Sequence, residues 1–119
     1  MECESPVCGC TVIHEDAVRL VKNGIPPDET LAGMAEMFKV LGDATRLKIV
    51  GALLLSELCA CDIAAVLQMS QPAAAHHLKI LRQGRLVKCR KAGKVVYYSL
   101  CDEHVGMLFD LCRTHMEEE

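Results

Sequence analysis

Tryptophan is absent from this 119-residue sequence, and its aromatic side chains are only two Phe and two Tyr. A core of stacked rings is therefore excluded. Packing falls to Leu, Val, Ile, Met and Ala, a set that favours helices. Long apolar runs are missing too. The longest, Ile49 to Leu55, is too short to span a bilayer, and the start, Met1-Glu2-Cys3-Glu4, lacks the basic segment that opens a secretory signal. These features predict a cytoplasmic protein with no membrane partner. In that reduced compartment eight cysteines do not form a disulfide framework; they point first to metal binding and second to redox sensing.

Acidic residues are missing from one long stretch. Between Ile63 and Cys101 there is no Asp or Glu over 39 residues, but there are seven basic ones: Lys79, Arg82, Arg85, Lys88, Arg90, Lys91 and Lys94. The overall charge of −3 thus conceals a segment of +7 against a remainder of −10. A basic stretch on an otherwise acidic chain is the footprint of a face that meets a polyanion, whereas scattered Lys and Arg normally mark a solvated surface. With 51% apolar residues, the chain can bury one core, and its length suits a single domain.

Residues 1–14 read as an arm carrying Cys3, Cys8 and Cys10, and residues 15–119 as the folded domain. A short helix is expected from Glu15 to Asn23, ended by Gly24 and Pro26-Pro27. Leu31, Met34, Phe38 and Leu41 recur at helical spacing. Asp43 can cap a third helix with Leu47, Val50 and Leu54 on one face. Ser56-Glu57-Leu58 reads as a turn before a short helix from about Cys61 to Leu67. Ser70 caps a further helix, with Pro72 in its first turn, that buries Ala74, Leu78 and Leu81 and stops at Gly84. Two strands, Leu86 to Lys91 and Lys94 to Leu100, join through Ala92-Gly93, and a last helix runs from Asp102 to about Glu117. Met34, Met37, Met107 and Met116 read as core.

A short helix, a tight turn and a second helix make a helix-turn-helix, and the basic hairpin after it makes a wing. The expected fold is mainly α with a small β-hairpin, a winged helix-turn-helix. The helix from Gln71 to Gln83 is the candidate reader of the major groove of double-stranded operator DNA. Ser70, Gln71, Ala73, Ala74 and His76 are expected nearest the bases, and His77 is assigned to the same helix's work. Lys79, Arg82, Lys88, Arg90, Lys91 and Lys94 are expected at phosphates, fixing register without reading sequence.

The segments Phe38-Lys39-Val40-Leu41-Gly42-Asp43-Ala44-Thr45-Arg46-Leu47-Lys48-Ile49, Ser56 to Ala64, Ser70-Gln71-Pro72-Ala73-Ala74-Ala75-His76-His77-Leu78 and Gly93 to Leu100 resemble the ArsR/SmtB family of metal-responsive repressors. The resemblance spans about residues 14 to 118 and is nearest to the cadmium-, lead- and zinc-sensing members. It implies a homodimer built on the first and last helices, with the metal-free form on DNA and the metal-bound form released, freeing efflux or detoxification genes. Ala75 stands where many members carry Ser.

The last helix carries Asp102, His104, His115 and Glu118, which match the family's zinc ligands. His104 and His115 share a helix face but lie about 16 Å apart along the axis, too far for one ion held at about 2 Å from each ligand. Two antiparallel copies of the helix can instead pair Asp102 and His104 with the partner's other end, giving a two-nitrogen, two-oxygen set suited to Zn(II). Cys59-Ala60-Cys61 is a second candidate. By analogy with cadmium- and lead-sensing members, Cys8 and Cys10 complete a thiolate set for Cd(II) or Pb(II), with Cys3 as a substitute. Arsenite-sensing members place a third cysteine where this chain has Ala64, which makes arsenite the less favoured inducer. Cys89, Cys101 and Cys112 are assigned to packing.

Two rivals remain at this level: an arsenite- or thiol-redox-responsive repressor of the same fold, and a metal-buffering protein without DNA binding. An enzyme is not expected, because no nucleophile, base and orienting group assemble.

Overall fold

The structure, a computed structural model, describes Gly9 and residues 11–118. Cys3, Cys8 and Cys10 lie outside the described residues. The elements run α1 (Glu15–Gly24), α2 (Asp28–Leu41), α3 (Ala44–Leu55), β1 (Leu58–Cys59), α4 (Ala60–Leu67), α5 (Gln71–Gln83), β2 (Val87–Ala92), β3 (Val95–Leu100) and α6 (Glu103–Glu117). The chain divides into two compact units between Leu31 and Ala32, inside α2.

In the first unit, α1 carries Glu15 and Asp16 in its first turn and Lys22 in its last, the order that complements the helix dipole. It closes at Gly24, as expected from the Pro26-Pro27 pair that follows.

The second unit is a winged helix-turn-helix. Its core joins Ile49, Val50 and Leu53 of α3, Ile63 and Ala64 of α4, Ala74, Leu78 and Leu81 of α5, Leu86 and Val87 at the entry to the wing, and Val105 of α6. The expected inward face of α3 is turned slightly. Leu47 and Leu54 are partly exposed, because Leu54 faces α6 at Gly106 and Leu47 lines a groove beside that helix. Here α3 and α6 approach closely: a Cβ on Gly106 would lie 2.6 Å from Leu54 Cδ1, and one on Gly51 would lie 3.0 Å from Phe109 Cζ. Of the methionines assigned to the core, only Met37 packs against it. Met34, Met107 and Met116 are exposed on the single chain.

The wing departs from a simple hairpin. Leu58, expected in a turn, instead forms β1 with Cys59, and the two pair antiparallel with Tyr98 and Tyr97, so the sheet has three strands in the order β1-β3-β2. The hairpin turn is Gly93-Lys94, one residue later than expected, since Ala92 pairs with Val95. Gly93 has φ +65°, a conformation that glycine adopts at no steric cost.

Both helices of the helix-turn-helix end in the same way. After α4, Gln68 takes φ 55° and the Met69 amide donates to the Ala64 carbonyl at 3.0 Å. After α5, Arg85 takes φ 63° and the Leu86 amide donates to the Leu81 carbonyl at 2.9 Å. These are Schellman closures, and at the second one buried Leu81 and Leu86 occupy the two positions whose apolar contact accompanies the motif. The helix stops at Gly84 as expected, with Gly84 at φ −80°, and the left-handed position belongs to Arg85. Neither left-handed residue is glycine. Gln68→Gly and Arg85→Gly should therefore each stabilise the fold by about 0.5–1 kcal/mol, read as a rise in the urea midpoint at fixed protein concentration. Glycine at position 84 offers no such gain.

Candidate functional site

The recognition helix α5 starts at Ser70, whose Oγ accepts the Ala73 amide at 3.2 Å, and Pro72 sits in the first turn where its missing N–H costs nothing. This cap leaves Gln71 and His76 exposed and Ala73 half-buried. Ala74, expected near the bases, is 0% exposed. It sits on the inner face with Leu78 and Leu81 and cannot reach a duplex. His77 is half-buried and turns inward, its Nδ1 lying 3.5 Å from Arg46 Nη1. Arg46 Nε in turn donates to the Val40 carbonyl at 2.7 Å. His77 thereby belongs to the joint between α2, α3 and α5, while His76 remains on the open face. Asp43 caps α3 by accepting the Arg46 amide at 3.0 Å. That hydrogen bond, chiefly, holds its carboxyl below the usual carboxylate range.

Lys79 and Arg82 on α5, and Lys88, Lys91 and Lys94 on the wing, are exposed. Arg90 is placed differently. Its Nε and Nη2 donate to the two carboxylate oxygens of Glu57, each at 2.8 Å, and its guanidinium lies 4.8 Å from the centroid of the Tyr97 ring. The Arg90 hydrogen bond draws the Glu57 carboxyl below its ordinary range. Glu57 had no role in the sequence reading, because its partner is 33 residues away.

The candidate metal ligands fall into two groups. Cys59 is half-buried at the end of β1 and Cys61 is exposed in the first turn of α4. Asp62 fixes this corner by accepting the Cys59 amide at 3.1 Å. Asp102 caps α6 by accepting the His104 amide at 2.9 Å, and the same oxygen lies 3.3 Å from His104 Nδ1. Burial pushes the Asp102 carboxyl up, but the hydrogen bonds from His104 outweigh it and hold the group below its ordinary value. His115 and Glu118 are exposed at the far end of the unbroken α6. Among the described residues no three His, Cys, Asp or Glu side chains converge. The donor chemistry fits a metal, but each group supplies only two ligands.

Burial pushes the Cys101 thiol up, with the Asp102 charge adding to the effect, so it stays protonated and suits a packing role. Cys89 is half-buried on β2. Cys112 is exposed on the single chain. It lines a cavity of about 510 Å³ between α2, α3 and α6, along with Phe38, Leu47, Val105, Phe109 and Met116.

Residues 43–88 match the profile of the arsR family of bacterial regulatory proteins. The chain is 42% identical over 115 residues to a transcriptional repressor SmtB homolog from Synechocystis, covering 97% of this chain and 87% of the relative. The chain belongs to the ArsR family. Another ArsR-family relative, a cadmium resistance transcriptional regulatory protein CadC homolog from Staphylococcus aureus, is 42% identical over 113 residues, covering 94% of this chain and 93% of that one. Among solved structures, the homodimeric winged helix-turn-helix DNA-binding domain of a possible ArsR-family transcriptional regulator from Mycobacterium bovis superposes with a TM-score of 0.74 at 30% identity, covering 79% of this chain and 90% of that one. Among the described residues no helix is long and apolar enough to cross a membrane.

Proposed function

We propose that this ArsR-family chain is a homodimeric repressor that holds operator DNA when metal-free and leaves it when Cd(II), Pb(II) or Zn(II) binds. The observation that carries the reading is the exposed first turn of α5 beside a wing whose segment has lysines and arginines but no acid. Gln71 and His76 present donors and acceptors toward base edges. Lys79, Arg82, Lys88, Lys91 and Lys94 meet phosphates and fix the register. Homodimerisation is favoured by the 61% exposed Met107 and 71% exposed Leu111 of α6, apolar side chains that a second copy can cover.

The metal ligands are assigned to two half-sites. Asp102 and His104 of one subunit face the His115–Glu118 end of the same helix in the partner, and Cys59 and Cys61 take thiolate donors from the arm, Cys8 and Cys10 or Cys3. A bound divalent ion would tie together the segments that carry these ligands. Asp102, already held by the His104 amide, presets one half of the first site. Asp62 does the same for the second by fixing the Cys59 backbone. Closure of either site shifts the dimer toward a geometry in which two recognition helices no longer fit successive major grooves about 34 Å apart. Metal and DNA then weaken each other's binding by the same factor. The names of the SmtB and CadC homologs, a repressor and a cadmium resistance regulator, support this reading.

The test uses full-length dimer and a duplex selected from a randomised pool by metal-free protein, titrated in parallel with zinc, cadmium, lead and arsenite. Wild type should lose the duplex on adding at least one metal. Cys59→Ser should abolish release by cadmium or lead, and His104→Ala release by zinc, with metal-free affinity kept within about twofold. Equal duplex affinity with and without every metal would end the proposal, and oxidant-dependent release in metal-free buffer would replace it with a thiol switch.

A further inference from the structure

We infer that Glu57, Arg90 and Tyr97 form a clamp that fixes the wing to the Cys59 segment, so that Arg90 positions the wing instead of contacting DNA. This rests on the proposed reading of the wing and of Cys59. Three strands meet at one level of the sheet. Arg90 on β2 faces Tyr97 on β3, and Tyr97 on its other side faces Cys59 on β1. Tyr97 is therefore the rung between the wing strand and the cysteine strand. Glu57, two residues before Cys59, reaches past β3 and takes the guanidinium in a two-pronged fork, which fixes orientation as well as distance. The ring of Tyr97 lies under the same guanidinium and adds a cation–π contact.

The consequence for Arg90 is electrostatic. A guanidinium already paired with a carboxylate offers a phosphate little net charge, and the carboxylate itself repels the phosphate. Lys88, Lys91 and Lys94 carry the wing's attraction. The consequence for regulation is mechanical. Any rearrangement of Cys59 moves β1, and β1 is joined to β3 by its ladder and to β2 by the Glu57–Arg90 fork. The wing follows the cysteine corner through two connections, one of backbone and one of side chains. Loss of the fork leaves the ladder alone.

Full-length wild type, Glu57→Gln, Arg90→Gln and the double variant distinguish the two roles of Arg90. With a positioning role, both single variants weaken metal-free duplex binding by a similar factor, roughly threefold, and the double variant is no weaker than either. The slope of log affinity against log salt is unchanged. With a phosphate contact instead, Arg90→Gln lowers that slope by about 0.9 per wing while Glu57→Gln holds or strengthens binding, and the clamp is refuted. A second measurement needs no DNA: amide hydrogen exchange over residues 87–100. Exchange should rise in both single variants, and cadmium chloride should alter it in wild type but much less in Glu57→Gln, at equal cadmium–thiolate absorbance. Unchanged wing exchange in the variants, or an equal cadmium response in Glu57→Gln, would overturn the inference. Wild type that binds no duplex would sink the repressor reading alone, since the exchange measurement still decides the clamp.

Discussion

Leu78→Ala should lower the unfolding free energy by about 3 kcal/mol, and by up to about 5 if the site does not collapse. Leu78 is 0% exposed and packs in the centre of the second unit. Truncation removes apolar contacts from α5 and leaves a void between it and α3, where neighbours already occupy dense packing. The effect should appear as a fall of more than about 10 °C in the melting midpoint at fixed protein concentration, allowing for the size of the chain. Leu55→Ala is the matched control: Leu55 is 88% exposed and its loss should stay within about 0.5 kcal/mol. A change below about 1 kcal/mol at Leu78 would mean that α5 is not seated as described. Operator affinity should fall along with stability, because the same face that buries Ala74, Leu78 and Leu81 aims Gln71 and His76 outward.

Reversing the two lysines at the tip of the wing, Lys91→Glu with Lys94→Glu, should weaken metal-free duplex binding by on the order of a hundredfold near 100 mM salt. Both side chains are exposed, on either side of the Gly93 turn. Each lost phosphate contact removes counterion release, so the salt slope should drop by about 1.8 per wing. The thermal midpoint should hardly move, since neither lysine is buried. The measurement is duplex binding by fluorescence anisotropy across a salt series. An unchanged slope would remove the wing from the interface and leave α5 to bind alone.

Much of this architecture was legible because it follows local rules. Asp43 and Ser70 were readable as caps from residue type and from the apolar positions behind them, and both accept the expected amide. The burial of Ala74, Leu78 and Leu81 followed from helical spacing. That spacing already conflicted with placing Ala74 at the bases, and in the fold the inner face prevails. What was not legible depends on distant partners. A two-residue strand has no alternation to detect, and Leu58–Cys59 becomes β1 only because Tyr97 and Tyr98 offer an open edge. The Glu57–Arg90 fork spans 33 residues. The stop at Gly84 was legible from the glycine, but the left-handed turn at Arg85 carries no residue-type signal; buried Leu81 and Leu86 fix where the chain must reverse. The metal ligands are legible as residue types, but among the described residues one chain gathers them only in pairs, so spacing alone does not choose between the two groups.

The reciprocal seating of Leu54 over Gly106 and Phe109 over Gly51 has a mechanical corollary. Each helix of this pair inserts a side chain into a notch left by the other, a double mortise that resists both sliding and rotation. Torque applied at either end of α6 is therefore delivered to α3 without slip. Because α3 also abuts α4 and α5, the C-terminal helix is coupled by direct packing to the DNA-reading end.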